Sequence, residues 1–286
     1  MARLSITKTP KCYVGGAFVR SESGRVFPLH DREGRFLANI PQCTRKDVRN
    51  AVEAAAKAGS AWAKRSGYNR GQILYRLAEM MEARGEELAA GVDDSSPELA
   101  RQEVRTAIDR IVYYAGWTDK YEQVLGSVNP VASSHFNFTV TEPVGVVGVI
   151  APDASPLLAL ISLVLPMIVS GNAVVALASS ARPYPSIVLG EILATSDLPG
   201  GVVNLLTGIR SELIPTFATH AHIRVVNGVV NAEERELLRL GAAESVKRVY
   251  LEPAEETMNW KSERWQSVET IRAGIEFKTV WHPIGA

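Results

Sequence analysis

The 286-residue chain carries only two cysteines, Cys12 and Cys43, and five scattered histidines, His30, His135, His220, His222 and His282. Two cysteines do not make a disulfide scaffold, and no Cys/His cluster has the spacing of a metal site. Glu252, Asp153 and His222 are side chains that could move protons, but nothing in the sequence places them together. Gly145 and Gly148 do not form a Gly-x-Gly-x-x-Gly turn, and their spacing alone is weak evidence for a phosphate.

The elements that would position such residues are clearer. Val144–Ile150, Ala173–Leu177 and Val202–Leu206 are short apolar runs rich in β-branched residues, which suit strands buried on both faces. Segments 155–170 and 186–196 between them read as helices. Strand, helix, strand, helix, strand predicts right-handed crossovers and a parallel sheet. Nucleotides bind such sheets at the carboxyl ends of the strands. Leu157–Val169 contains Pro166 and is shorter than the ~20 residues of a membrane span, so it reads as a core helix.

Upstream, Tyr13-Val-Gly-Gly-Ala-Phe-Val predicts two short strands joined at Gly15-Gly16. Thr44 with Asp47 has the spacing of a capping box, opening a helix to about Trp62. Asn69 is expected to cap a second helix, whose Ile73, Leu74, Leu77, Met80 and Met81 recur at helical spacing and read as a core stripe. After a polar break at 91–97, a third helix is expected over Glu98–Tyr121, with Val104, Ile108, Ile111, Val112 and Ala115 on its buried side. The charges of these helices alternate in sign and read as solvated faces. His135–Val140 and Ile275–Trp281 alternate as half-buried strands, the first with Phe136, Phe138 and Val140 on one face, the second with Ile275, Phe277 and Trp281 opposite Glu276 and Lys278. The terminal strand either pairs within its own chain or joins a neighbour's sheet edge.

Lys+Arg 31 balances Asp+Glu 31, so nothing in the charge draws the chain to nucleic acid or to an anionic membrane. With 46% apolar residues it can bury a core, and no apolar run follows a basic start as in a secretory signal. A cytoplasmic protein without metal is expected.

The wording of these runs resembles the aldehyde dehydrogenase superfamily. Glu142-Pro-Val-Gly-Val-Val-Gly-Val-Ile, Gly171-Asn-Ala-Val-Val and Leu198-Pro-Gly-Gly-Val-Val-Asn-Leu-Leu-Thr-Gly208 occur in that family's order, and Tyr113–Lys120 and Val246–Glu252 extend the likeness over roughly residues 11–252. It implies a nucleotide-binding domain, a projecting oligomerisation hairpin and a C-terminal strand that pairs between subunits.

Such an enzyme needs a thiolate for the carbonyl carbon, donors for the oxyanion, a carboxylate to activate water and a held nicotinamide. The resemblance places the nucleophile a few dozen residues after the general base, but no cysteine follows Cys43. Where the family has Pro-Trp-Asn, with Asn as oxyanion donor, the chain reads Pro152-Asp153-Ala154. Where Lys-Pro-Ser/Ala-Glu holds the adenosine ribose, it reads Leu177, Ala178, Ser179 and Ser180. Losing two charged hydrogen bonds of roughly 1.5–3 kcal/mol each costs on the order of a hundredfold or more in affinity. The Phe-Thr-Gly-Ser turn over the pyrophosphate is matched with Val226–Val229. Only Glu252 matches a reactive position, the general base, and with Pro253-Ala254 after it and no acyl intermediate to hydrolyse it reads as vestigial.

The fold expected is α/β: a Rossmann-like parallel sheet with flanking helices, an N-terminal helical region and a projecting β oligomerisation element. Residues 1–134 would hold the N-terminal hairpin and helices, 144–252 a vestigial dinucleotide-binding domain, and 135–143 with 271–286 the oligomerisation strands. Residues 253–270 read as a linker in place of the catalytic domain. The likeness is to an incomplete second copy of an aldehyde dehydrogenase. It implies a non-catalytic subunit with no cofactor of its own, partnered by a full-length aldehyde dehydrogenase that carries NAD(P), or a self-dimer. The alternative is a nucleotide or small-ligand binding protein using the residual crevice.

Overall fold

In the computed structural model, which describes residues 8–92, 96–254 and 258–285, the three apolar runs form the middle of a seven-stranded sheet. The chain opens with a hairpin, β1 (Cys12–Val14) and β2 (Ala17–Val19), followed by a two-stranded flap, β3 (Val26–His30) and β4 (Phe36–Pro41). Helices α1 (Arg45–Ala63), α2 (Gly67–Ala83), α3 (Gly85–Val92), α4 (Pro97–Ala115) and α5 (Tyr121–Leu125) come next. After β5 (Ser127–Asn129) and β6 (His135–Pro143) the alternating part begins: β7 (Val146–Ile150), α6 (Leu158–Val169), β8 (Ala173–Leu177), α7 (Tyr184–Leu193) and β9 (Val203–Leu206). It continues through α8 (Arg210–Thr219), β10 (Ile223–Val230), α9 (Ala232–Ala243) and β11 (Arg248–Pro253). A short 3-10 turn (Glu263–Trp265), α10 (Val268–Arg272) and β12 (Ile275–Pro283) follow.

The main sheet runs β11-β10-β7-β8-β9-β1-β2, parallel from β11 to β9 and antiparallel where the hairpin joins. From β7 the chain winds outward through β8 to β9, then returns to lay β10 on the other flank of β7. The order therefore reverses between β7 and β10, the place where such sheets open a crevice at their carboxyl ends. Every residue of β7, β8 and α6 is buried, which is why these runs lack the alternation of a half-exposed strand.

Thr44 and Asp47 form the expected capping box on α1. α2 is capped one turn earlier than expected: the Ser66 hydroxyl accepts from the Asn69 backbone N–H, so Asn69 is a capped residue and not the cap. The break at 91–97 is shorter than the sequence suggests, because Gly91 and Val92 end α3; residues 93–95 lie outside the described part. The third helix stops at Ala115, short of Tyr121, and Val112 is exposed while Val104, Ile111 and Ala115 are buried.

The two alternating strands lie in a three-stranded sheet of order β12-β6-β5. β12 pairs with β6 of its own chain, from Ile275 opposite Pro143 to Pro283 opposite His135. Cross-strand partners share a face, so Phe277, Thr279 and Trp281 lie with Thr141, Thr139 and Asn137, and Phe136, Phe138 and Val140 lie with His282, Val280 and Lys278. The buried residue of β6 is Asn137; Phe136 and Val140 are exposed. The expected alternation is present, but its apolar side faces outward.

The stretch read as a linker is folded against the body where it is described. Trp260 and Trp265 stack with ring centroids 4.1 Å apart and are buried. Arg110 Nη1 donates to the Trp260 carbonyl at 3.0 Å, and Tyr114 Oη to the Trp265 carbonyl at 2.9 Å. Residues 255–257 of that stretch lie outside the described part. No described helix is long and apolar enough to cross a membrane, and no group of metal-ligating side chains occurs among the described residues.

Candidate functional site

At the reversal between β7 and β10, the strand ends deliver Pro152, Asp153 and Ala154, then Val229 and Asn231, around a cavity of ≈ 330 Å³ that Met258 and Trp260 close from the side. Across its floor lies Arg210, the first residue of α8. Its Nη1 donates to the Ala151 carbonyl at 2.7 Å and its Nη2 to the Val229 carbonyl at 3.0 Å, bridging the ends of β7 and β10. The same guanidinium pairs with both oxygens of Glu234, Nε to Oε1 at 2.8 Å and Nη2 to Oε2 at 2.7 Å. Only 17% of the Arg210 side chain and 16% of the Glu234 side chain reach solvent. Burial pushes the Glu234 carboxyl up, but the hydrogen bonds and charge of Arg210, with the Asn231 N–H, outweigh it and hold the group below its usual range.

Glu234 has a second task. The Asn231 side chain accepts from the Glu234 N–H at 2.8 Å, while Glu234 Oε2 accepts from the Asn231 N–H at 3.1 Å, a reciprocal cap on α9. A helix N-terminus at the carboxyl end of a sheet is a natural seat for phosphate. Here it holds a carboxylate of its own.

The second lip of the crevice is also self-satisfied. Asp153 Oδ1 accepts from the Ser179 hydroxyl at 2.6 Å and from the Ala181 N–H at 3.0 Å, and the Ser180 hydroxyl donates to the Gly208 carbonyl at 2.8 Å. Leu177 and Ala178 are buried and apolar. Ala154, expected from the resemblance to stand where an oxyanion donor would, has no side-chain donor. The first amides of buried α6 are met by a side chain of α4: Glu103 Oε1 accepts from the Leu157 and Leu158 N–H groups at 3.0 and 3.1 Å. Burial raises the Glu103 carboxyl despite those two bonds.

The matched turn at Val226–Val229 is not a turn. All four residues lie inside β10, with Gly228 opposite Ile150 on one side and Leu251 on the other. A Cβ on Gly228 would stand 2.6 Å from the Ile150 carbonyl oxygen, so this glycine permits close strand packing and leaves the chain's turn to Asn231.

Glu252 is the penultimate residue of β11 and pairs with Arg264 at 3.0 Å beside a cavity of ≈ 250 Å³. Cys12 and Cys43 are far from it. Their sulfurs lie 3.3 Å apart beside Thr207, at the carboxyl end of β9. The register Glu252–Val229, Gly228–Ile150, Ile150–Leu177 and Leu177–Leu206 puts Thr207 level with Glu252 but four strands across the sheet, about 19 Å at strand spacing. His222 precedes β10 at the opposite end of the sheet, about 20 Å of strand from Val229. The structure thus brings Asp153 to the crevice and keeps Glu252, His222 and both thiols from meeting there.

Residues 18–254 match the sequence pattern of the aldehyde dehydrogenase family. The chain belongs to that family. It is 32% identical over 251 residues to a putative aldehyde dehydrogenase, DhaS, of Bacillus subtilis (strain 168), covering 85% of this chain and 50% of the relative. It is 32% identical over 254 residues to retinal dehydrogenase 2 of Gallus gallus, covering 86% and 48%. Among solved structures it superposes on an NAD-dependent aldehyde dehydrogenase from Sinorhizobium meliloti with a TM-score of 0.82 at 30% identity, and on the NAD+ complex of the Bacillus cereus aldehyde dehydrogenase with 0.83 at 26%. Those overlaps cover 88% of this chain and 51% and 52% of the other. The chain spans about half the length of the aldehyde dehydrogenases it matches.

The residues present do not fit the dinucleotide that an aldehyde dehydrogenase would place in this crevice. Two carboxylates, Asp153 and Glu234, stand at the seat; Arg210 is committed to Glu234 and to two carbonyls. Sequence reasoning did not find Arg210 or Glu234. The spacing Asn231-x-x-Glu234 was the available signal for the cap, but a pair that meets across 24 residues has no periodic signature.

Proposed function

We propose that this chain is a non-catalytic aldehyde dehydrogenase-like subunit that assembles with a complete NAD(P)-dependent aldehyde dehydrogenase and supports its oligomer. The observation that carries this reading is the crevice whose charged groups are paired with one another, with Arg210 laid across the strand ends and bound to the carboxylate that caps α9. The separation of both thiols from Glu252 supports it, as does Arg264 on the carboxylate that would activate water. Assembly is supported by apolar side chains left in water on both faces of the three-stranded sheet, Val128, Phe136 and Val140 on one and Phe277 and Trp281 on the other, all more than a third exposed. An exposed apolar surface of this kind is commonly covered by a partner.

The test is purification of the intact protein from its source under mild conditions, with native mass spectrometry of what accompanies it. A complete aldehyde dehydrogenase in fixed stoichiometry is the expected result. A lone monomer at working concentration would end the proposal. A self-dimer would keep the interface and remove the partner.

A second reading, a small-ligand protein, is favoured by one observation. Trp260 Nε1 is buried without a hydrogen-bond partner, and Trp260 borders the ≈ 330 Å³ crevice cavity. Calorimetry with NAD and NADP separates the readings, since micromolar binding fits only the second.

A further inference from the structure

Both cysteines of the chain lie together, and nothing in the crevice uses them. Cys12 opens β1 and Cys43 follows β4, 31 residues on, yet the two sulfurs are 3.3 Å apart and the residues are 2% and 1% exposed. The site is built. Cys43 N–H donates to the Thr207 carbonyl at 3.0 Å, the Thr207 hydroxyl donates to the Pro41 carbonyl at 2.6 Å, and Cys12 Sγ is 3.5 Å from that hydroxyl oxygen. Three segments distant in sequence therefore hold the two sulfurs against each other.

We propose that Cys12 and Cys43 form an oxidisable dithiol, which hydrogen peroxide converts to an intramolecular disulfide that locks the N-terminal hairpin to the β4–α1 connection. The Cys12 thiol gives up its proton and the thiolate attacks one peroxide oxygen, breaking the O–O bond to give a sulfenic acid and hydroxide, which leaves as water with that proton. The Cys43 sulfur then attacks the Cys12 sulfur, the S–OH bond breaks, and a second water leaves with the Cys43 proton. Peroxide is the oxidant, two thiols lose two electrons, and the atoms balance. Cys12 is the attacking group because the hydrogen bond with Cys43, helped by the Thr207 backbone, holds it below an ordinary thiol against the effect of burial; the same bond and burial push Cys43 up. Access comes from opening of the hairpin. β2 is the sheet's edge strand, and β1 meets β9 through one residue pair, Tyr13 with Leu205.

The whole reduced protein is treated with peroxide, quenched with catalase, unfolded, alkylated with N-ethylmaleimide and weighed intact. The expected product is a monomer that has lost two hydrogens and takes up no N-ethylmaleimide, with both alkylation sites restored by dithiothreitol. Its melting temperature should rise by about 6 °C, the loop-closure effect of a bridge of this length spread over a chain of this size. Two alkylated thiols after exhaustive treatment, or sulfinic acid without a crosslink, would overturn the proposal. C43S and C12S test the order of steps. Dimedone should trap Cys12 in C43S; trapping confined to Cys43 of C12S would overturn the assignment of the attacking thiol.

Discussion

Replacing Arg210 with Met should destabilise the chain through the crevice alone. Arg210→Met keeps the length and most of the apolar stem but removes the guanidinium that meets both oxygens of Glu234 and the carbonyls of Ala151 and Val229. Both partners are more than four-fifths buried, so the variant leaves a carboxylate largely out of water with only the α9 cap for company. Breaking one side of such a pair costs about 3 kcal/mol, which for a chain of this size lowers the melting temperature by about 5 °C. The pH dependence fixes the cause. In the parent the Glu234 carboxyl is depressed on folding, so its contribution is present above the unfolded carboxyl value of about 4.3 and is lost as pH falls through the lower folded value. Without Arg210, burial pushes that carboxyl up, and acid relieves the variant by protonating it. The difference between parent and variant should therefore be widest near neutrality and shrink below pH about 4. Thermal unfolding followed by circular dichroism from acid to neutral pH measures this, and adding Glu234→Gln to the variant should recover part of the loss. An unchanged melting temperature, or a gap that does not vary with pH, would refute the assignment of Arg210 and Glu234 as a coupled pair holding the strand ends.

Gly228→Ala should give insoluble or poorly folded protein, because its Cβ would meet the Ile150 backbone at 2.6 Å inside the parallel sheet; soluble expression with an unshifted melting temperature would contradict that packing. Asp153→Ala should cost about 2 kcal/mol, since it frees the Ser179 hydroxyl and the Ala181 N–H together, and urea unfolding would detect it. Phe136→Asp with Val140→Asp should leave the monomer folded, because both side chains are already exposed, and should abolish association by analytical ultracentrifugation. Asn204→Ala should loosen the N-terminal hairpin, since its side chain accepts from the Gly15 N–H and donates to the Val174 and Gly201 carbonyls; a loss of about 3 kcal/mol is expected by thermal unfolding.

The parallel strands were legible because burial on both faces leaves a run such as Ala173–Leu177 with no polar residue. The capping box at Thr44 was legible because it is a local contact between residues three apart. Alternation in β6 revealed two faces but not which one packs. That choice rests on Asn137, whose side chain accepts from Asn129 of the neighbouring strand, and on what lies behind the sheet. Gly228 looked like part of a turn because a glycine needed for close strand contact and one needed for a turn have the same letter. The pairing of charges in the crevice was illegible for a different reason. Arg210 and Glu234 come from the first turns of two helices, Asp153 and Ser179 from two connections, and only the strand order brings them to one place. The packing of Trp260 and Trp265 against α4 likewise depends on tertiary contact with Arg110 and Tyr114.

The most direct measurement is the rate of nicotinamide reduction by the purified chain offered NAD or NADP with aliphatic and aromatic aldehydes, followed by absorbance of the reduced cofactor. No rate above the protein-free control is predicted, whatever the aldehyde. Steady turnover in proportion to the amount of this chain, removed by Glu252→Gln, would contradict the account.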